Sequence, residues 1–264
     1  MSKQLCYDGR LILIYLAVKH EGDYEKIMLA IQNNDFDVPL DECMKVYNSL
    51  KCGVLTYLDY EYPKKLKEIW HPPLVIFYYG DISLLEKEHI LATVGSREYN
   101  DYGKWCTESI LNQIAKNCVI VSGMARGIDT IAHECAVKNG GRTIAVLGSG
   151  IDYCYPPENQ ELYEEIKKYH LILSEYPFKT MPDSNHFPLR NRIIIGLSDA
   201  VFVPQINQSH SGTMISVNYG CESGKTILVA PHPPGSKTMN NQLINEGAIL
   251  ADNGMQILEE LHWD

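Results

Sequence analysis

The chain has 264 residues, 45% hydrophobic and 21% charged, which are the proportions of a globular protein with a substantial core. No stretch approaches the roughly 18 uninterrupted apolar residues of a membrane span, so a transmembrane protein is excluded. The formal net charge of -10 argues against gripping nucleic acid through a general basic excess and leaves room only for a local anion site.

The apolar run Leu11–Val18 follows Arg10, has no small-residue cleavage site behind it, and predicts a buried helix, not a secretion signal. Asp23 is positioned to cap a second helix carrying Ile27, Met28 and Ile31, and a third passes through Cys43, Val46, Tyr47 and Leu50. Nothing up to about residue 55 looks like a strand. A compact helical module over residues 1–60 is expected, with Lys51-Cys52-Gly53 as its exit. Lys64, Lys65 and Lys67 read as a solvated helix face, and His71-Pro72-Pro73 is a hard break.

Beyond the break, strand-like runs at Leu74–Tyr79, Ile90–Val94, Val119–Val121, Thr143–Leu147, Leu171–Leu173, Ala200–Val203 and Thr226–Val229 alternate with helix-like stretches. Tyr102–Ala115 and Glu158–Tyr169 are two of the latter. The alternation predicts an α/β fold over residues 61–264, with a parallel sheet covered on both faces. Eight cysteines show no C-x-x-C pair and bracket no histidine cluster, so no zinc site is expected. Reduced thiols in a cytoplasmic chain are the expectation instead.

Three strand ends run into glycine-containing loops: Gly95-Ser96-Arg97, Ser122-Gly123-Met124-Ala125-Arg126-Gly127, and Gly148-Ser149-Gly150. In a parallel sheet these loops share the carboxyl edge. Glycine admits close backbone approach there, and helix starts attract anions. The segment His186-Phe187-Pro188-Leu189-Arg190-Asn191-Arg192 adds arginines and a ring without an acid. Cations at a helix N-terminus are disfavoured unless an anion is present, so a phosphate between Arg190 and Arg192 is expected. Ser211-Gly212-Thr213 opens a further helix, as caps or as anion contacts.

Near matches to other motifs fail. Gly220 to Thr226 has three residues between its glycines, not the four of a P-loop, and precedes a strand. Tyr153 stands where the third glycine of a dinucleotide fingerprint belongs, and His133-Glu134 lacks the second histidine of a zinc protease.

The ordered series resembles the DNA-processing protein A family, also called DprA or Smf. It comprises Gly95-Ser96-Arg97, Val121–Asp129, Ala145–Asp152, Tyr155-Pro156-Pro157-Glu158-Asn159, Ser174-Glu175-Tyr176-Pro177, Phe187–Ile194 and Asn241-Gln242-Leu243-Ile244. The resemblance covers about residues 61 to 250 and implies an extended Rossmann fold behind a SAM-like helical domain. No C-terminal winged-helix domain is expected after residue 264. It implies sequence-independent binding of single-stranded DNA in natural transformation, protection of that DNA, and loading of the recombinase RecA. No enzymatic activity and no cofactor are implied, and a homodimer through the C-terminal part is. Arg97 leads the implied DNA pocket, with Asn159 beside the residues of the glycine loops and of the arginine segment. Basic residues that the family places near the Tyr-Pro-Pro loop and before the Phe-Pro segment are missing, and His210 stands where an arginine is common. The alternative is a nucleotide N-glycosidase of the lysine-decarboxylase-like group, suggested by Glu175 and Ser211-Gly212-Thr213. Gln208-Ser209-His210 lacks that group's glycines.

Overall fold

A computed structural model describes residues 5–208 and 210–263; Ser209 lies outside the described residues. Three helices come first: α1 (Gly9–Lys19), α2 (Tyr24–Gln32) and α3 (Leu40–Ser49). Asp8 caps α1 by accepting from the Arg10 and Leu11 amides, and Asp23 caps α2 through Lys26 N–H. The next elements are β1 (Gly53–Thr56), α4 (Lys64–Lys67), β2 (Val75–Gly80), β3 (Ile90–Thr93), α5 (Asp101–Ile114), β4 (Val119–Ser122), α6 (Ile128–Lys138) and β5 (Arg142–Leu147). The chain continues through α7 (Gln160–Tyr169), β6 (Leu171–Ser174), α8 (His186–Leu197), β7 (Ala200–Val203), α9 (Gly212–Glu222) and β8 (Thr226–Val229). It closes with α10 (Asn240–Asn245), β9 (Ile249–Leu250) and α11 (Gly254–Leu261).

Among the described residues nine strands form one sheet, in the order β1-β2-β6-β5-β4-β3-β7-β8-β9. The fold is a Rossmann-like α/β sheet, as the alternation of elements predicts. Two expectations need correction. Gly53–Thr56 is a strand, although the sequence up to about residue 55 suggests none. The sheet is also not wholly parallel: β1 pairs antiparallel with β2, and β2 antiparallel with β6. A sheet edge pairs with any extended segment that brings apolar residues to it, and Val54 and Leu55 do so without a helical crossover.

The central strands are buried along their whole length, so their sequence is a continuous apolar run. Ile193, Ile194 and Leu197 of α8 and Val217 of α9 fill one face. α5, α6 and α11 cover the other. Leu13, Leu16, Ala17 and Ile27 of the first helices pack in the same cluster as Val75, Phe77 and Ala145, so α1 and α2 share a core with the sheet. All eight cysteines are free thiols; six are buried, Cys52 is half-buried and Cys221 is exposed.

β3 lies in the middle of the sheet. From it the chain steps one way through β4, β5 and β6, then returns to its other side for β7, β8 and β9. The boundary between β3 and β7 is therefore the topological switch point, where loops diverge and leave a crevice at the carboxyl ends.

Candidate functional site

A cavity of about 460 Å³ opens at that switch point. The loop after β3 supplies Gly95, Ser96, Arg97 and Glu98, and the loop after β7 supplies Asn207, Gln208 and His210. Phe187, Pro188, Arg190 and Asn191 enter from the start of α8, and Ser211, Gly212 and Thr213 from the start of α9.

The two loops are knitted together. Ser96 N–H donates to Gln205 O at 2.9 Å, Asn207 N–H to Ser96 Oγ at 3.0 Å, and Asn207 Nδ2 to Glu98 O at 2.7 Å. Gly127 lies beneath them at φ +84°, with the carbonyls of Ser96 and Arg97 where a Cβ would stand. Only glycine satisfies both the backbone angle and the contact. Arg97 is exposed, makes no ion pair among the described residues, and sits 5.5 Å from the centre of the Phe187 ring. Opposite it, Ser211 Oγ accepts from Met214 N–H at 3.3 Å, so Ser211 caps α9 and turns the positive end of that helix to the cavity.

The arginines of α8 part company. Arg190 is buried, and its Nη1 donates to Gly123 O and Val146 O, while its Nε donates to Asn191 Oδ1 at 3.0 Å. Asn191 Nδ2 in turn donates to Gly212 O at 3.1 Å, tying Arg190 to the start of α9. Burial pulls the Arg190 guanidinium down to about 10, against the opposing pull of Asp129, so it stays charged at neutral pH. Burial likewise raises the Asp129 carboxyl, opposed by Arg190 and by N–H groups of Ala125 and Gly123.

Arg192 is a correction to the expected phosphate clamp. Its Nη2 donates to both carboxylate oxygens of Glu175, at 2.7 and 2.8 Å, with both side chains buried. Its Nε donates to His71 O at 2.8 Å and its Nη1 to Leu189 O at 3.0 Å. The anion demanded by a cation in the first half of α8 is thus internal: Glu175 for Arg192, and Asp129 near Arg190. With Glu175 so engaged and outside the cavity, the carboxylate on which the N-glycosidase alternative leaned is not at hand.

Several other expected site residues are architectural. The Gly123-Met124 peptide pair is held on every polar group. Gly123 N–H donates to Asp129 Oδ2 at 3.2 Å and Gly123 O accepts from Arg190. Met124, at φ +61°, donates its N–H to His133 Nε2 at 3.3 Å, and its carbonyl accepts from Asn159 Nδ2 at 2.9 Å. His133 Nδ1 lies 2.6 Å from Thr143 Oγ1, which itself donates to Ile120 O. Nε2 must accept, so the proton is on Nδ1, and the ring is neutral; burial drives it down to about 3.

The Gly148-Ser149-Gly150 loop lies outside the cavity. Phe187 covers Gly148, Ser149 Oγ donates to Tyr153 O, and Gly150 N–H donates to Thr180 O. It follows β5, two strands from β3, roughly 10 Å away along the sheet. His186 stacks on Tyr176 at 4.0 Å, away from the cavity, and burial lowers its imidazole. Arg126 is exposed and ion-paired with Glu158. Asn207 was not legible in sequence, because its placement follows from the position of β7 beside β3.

Among the described residues no cluster of three or more His, Cys, Asp or Glu side chains could hold a metal ion, and no helix is long and apolar enough to cross a membrane.

Residues 53–262 match the family model described as DNA recombination-mediator protein A. The DNA processing protein DprA of Streptococcus pneumoniae is 40% identical over 208 residues, covering 78% of this chain and 73% of the relative. The DprA of Bacillus subtilis is 36% identical over 225 residues, covering 84% and 75%. The X-ray structure of the S. pneumoniae protein superposes with a TM-score of 0.78 at 33% identity, covering 94% of this chain and 95% of that one. A Helicobacter pylori DNA processing protein A, whose structure is described for its single-stranded DNA binding mode, superposes with a TM-score of 0.73 at 32% identity, covering 81% and 96%. The glycine-floored crevice, the exposed Arg97 and these likenesses agree, and the chain belongs to the DNA recombination-mediator protein A family.

Proposed function

We propose that this chain binds single-stranded DNA without sequence preference in the crevice between β3 and β7. The observation that carries the reading is Arg97: an exposed guanidinium on a glycine loop, facing the start of α9 and lying over the Phe187 ring. Guanidinium and helix start suit a backbone phosphate, which carries no sequence information, and the Phe187 ring, itself stacked on Tyr155, holds the guanidinium in place. The family and the H. pylori neighbour support the same ligand. Arg190, Asn191 and the Gly123 loop form the floor that fixes this arrangement.

The proposal extends to the wider role that the resemblance implies: a non-enzymatic protein of the cytoplasm that coats incoming strands during natural transformation and passes them to RecA. A homodimer through the C-terminal part belongs to the same reading. Its support is the short edge strand β9 with Leu250 and Met255 exposed beside it. Leu243, Ile257 and Leu258 of the same segment lie in the core. The division into an N-terminal helical module and a Rossmann-like domain is likewise part of the proposal, with the boundary ahead of β1, which pairs into the sheet.

Binding of a labelled single strand, challenged by unlabelled single-stranded or duplex DNA, tests the ligand. Single strands of any composition should compete and duplex should compete weakly. Equal competition by duplex contradicts the reading.

A further inference from the structure

Trp70 and His71 belong to none of the glycine loops, yet they lie at the same edge of the sheet. β2 runs antiparallel to β6, so the segment entering β2 arrives at the carboxyl ends of the parallel strands. There His71 is sandwiched between two rings. Tyr24 of the helical module stacks on it at 4.4 Å and 16°, and Trp70 at 3.6 Å and 14°. The indole closes the column and is 56% exposed.

The column is fixed from behind. His71 holds φ +49°, a conformation that a non-glycine residue adopts only when its surroundings impose it. Arg192 holds the carbonyl of this residue, bonding His71 O while locked to buried Glu175. The same guanidinium bonds Leu189 O, so the carbonyls of Leu189 and His71 lie within on the order of 8 Å of each other. Leu189 is exposed and follows Pro188, which lines the crevice. The surface thus runs from the crevice across Leu189 to the open indole.

From this geometry we infer that Trp70 is a base platform, on which a nucleotide of the strand leaving the crevice stacks. The inference rests on the reading of the crevice as a single-strand site. An exposed ring that ends a rigid stack offers a flat face at little entropic cost, and such stacking tolerates any base. Arg192 acts on this platform as a positioning residue, through His71, without touching the strand.

The test compares the full chain with Trp70→Ala, Trp70→Phe and Arg97→Ala on oligothymidylates of about four and about twelve nucleotides. Trp70→Ala should weaken the longer strand about tenfold and leave the shorter one near wild type, and Trp70→Phe should restore most of the loss. The chain has three tryptophans, Trp70, Trp105 and Trp263, so fluorescence gives a second readout. The longer strand should quench the wild type, and Trp70→Phe should remove that quenching. Should Trp70→Ala misfold, the quenching comparison decides by itself. Wild-type affinity of Trp70→Ala for both lengths, or quenching unchanged by Trp70→Phe, overturns the platform; loss of both lengths in Arg97→Ala then leaves the crevice reading standing. Wild-type binding of both lengths by folded Arg97→Ala overturns both.

Discussion

Glu175 and Arg192 show how residues of one motif divide between binding and architecture. Both are buried and bonded through two carboxylate oxygens, so removing the cation leaves an ionised group without partner or water. Arg192→Ala should cost about 3–5 kcal/mol of stability, read as a lowered denaturant midpoint. A midpoint close to wild type would show that the pair is not a structural bond. His133 gives a pH prediction. Its folded-state value, about 3, lies below the usual value of 6.5, so below that value the unfolded chain takes up a proton that the folded chain refuses. Stability is therefore full above about pH 6.5 and is lost as pH falls toward 3, by roughly 2 kcal/mol between pH 7 and 5 from this group. Burial lowers His170, His186 and His232 in the same direction, so the diagnostic is a difference. His133→Gln, which can still accept from Met124 and donate to Thr143, should flatten the acid slope; an unchanged slope contradicts a ring held neutral in the folded chain. The sequence made Arg97 and the arginine segment visible as cations in need of anions. It could not show that Glu175, 17 positions away, pairs with Arg192, or that Asp129, 61 positions away, lies near Arg190, because such proximity exists only after the sheet has formed.

At the scale of elements, the crevice exists because two loops distant in sequence are stitched beside one glycine. Gly127→Ala places a methyl against the carbonyls of Ser96 and Arg97 at a backbone angle unfavourable to alanine. The expected cost is about 1–3 kcal/mol, with single-strand affinity falling as Arg97 moves off Phe187. Retained affinity at full stability would show that the loop after β3 does not depend on that contact. The buried central strands and the amphipathic helices α5 and α7 are legible in sequence because a continuous apolar run or a 3.6-residue period survives locally. β1 and β9 are not: Gly53–Thr56 holds only two apolar residues between a glycine and a threonine, Ile249–Leu250 is two residues long, and the partner strand alone makes them strands. Loop order was legible too, but not which loops meet. That depends on β7 returning to the far side of β3, which leaves Gly148–Gly150 two strands away and brings Asn207 in.

Over the whole molecule, a net charge of -10 and an affinity for polyanions are compatible only if the favourable field is confined to the crevice. Binding should therefore be salt-sensitive in proportion to few phosphate contacts, and Arg97 is the exposed cation placed to make one. The most direct measurement is single-strand affinity across a salt series for the wild type, Arg97→Ala and Arg192→Ala, each checked for folding by circular dichroism. Arg97→Ala should remain folded, lose affinity, and flatten the log–log salt slope by about 0.7, the signature of one lost phosphate contact. Arg192→Ala, where it folds, should keep the wild-type slope because its guanidinium meets Glu175 and not the strand. A folded Arg97→Ala with wild-type affinity and slope would contradict the account.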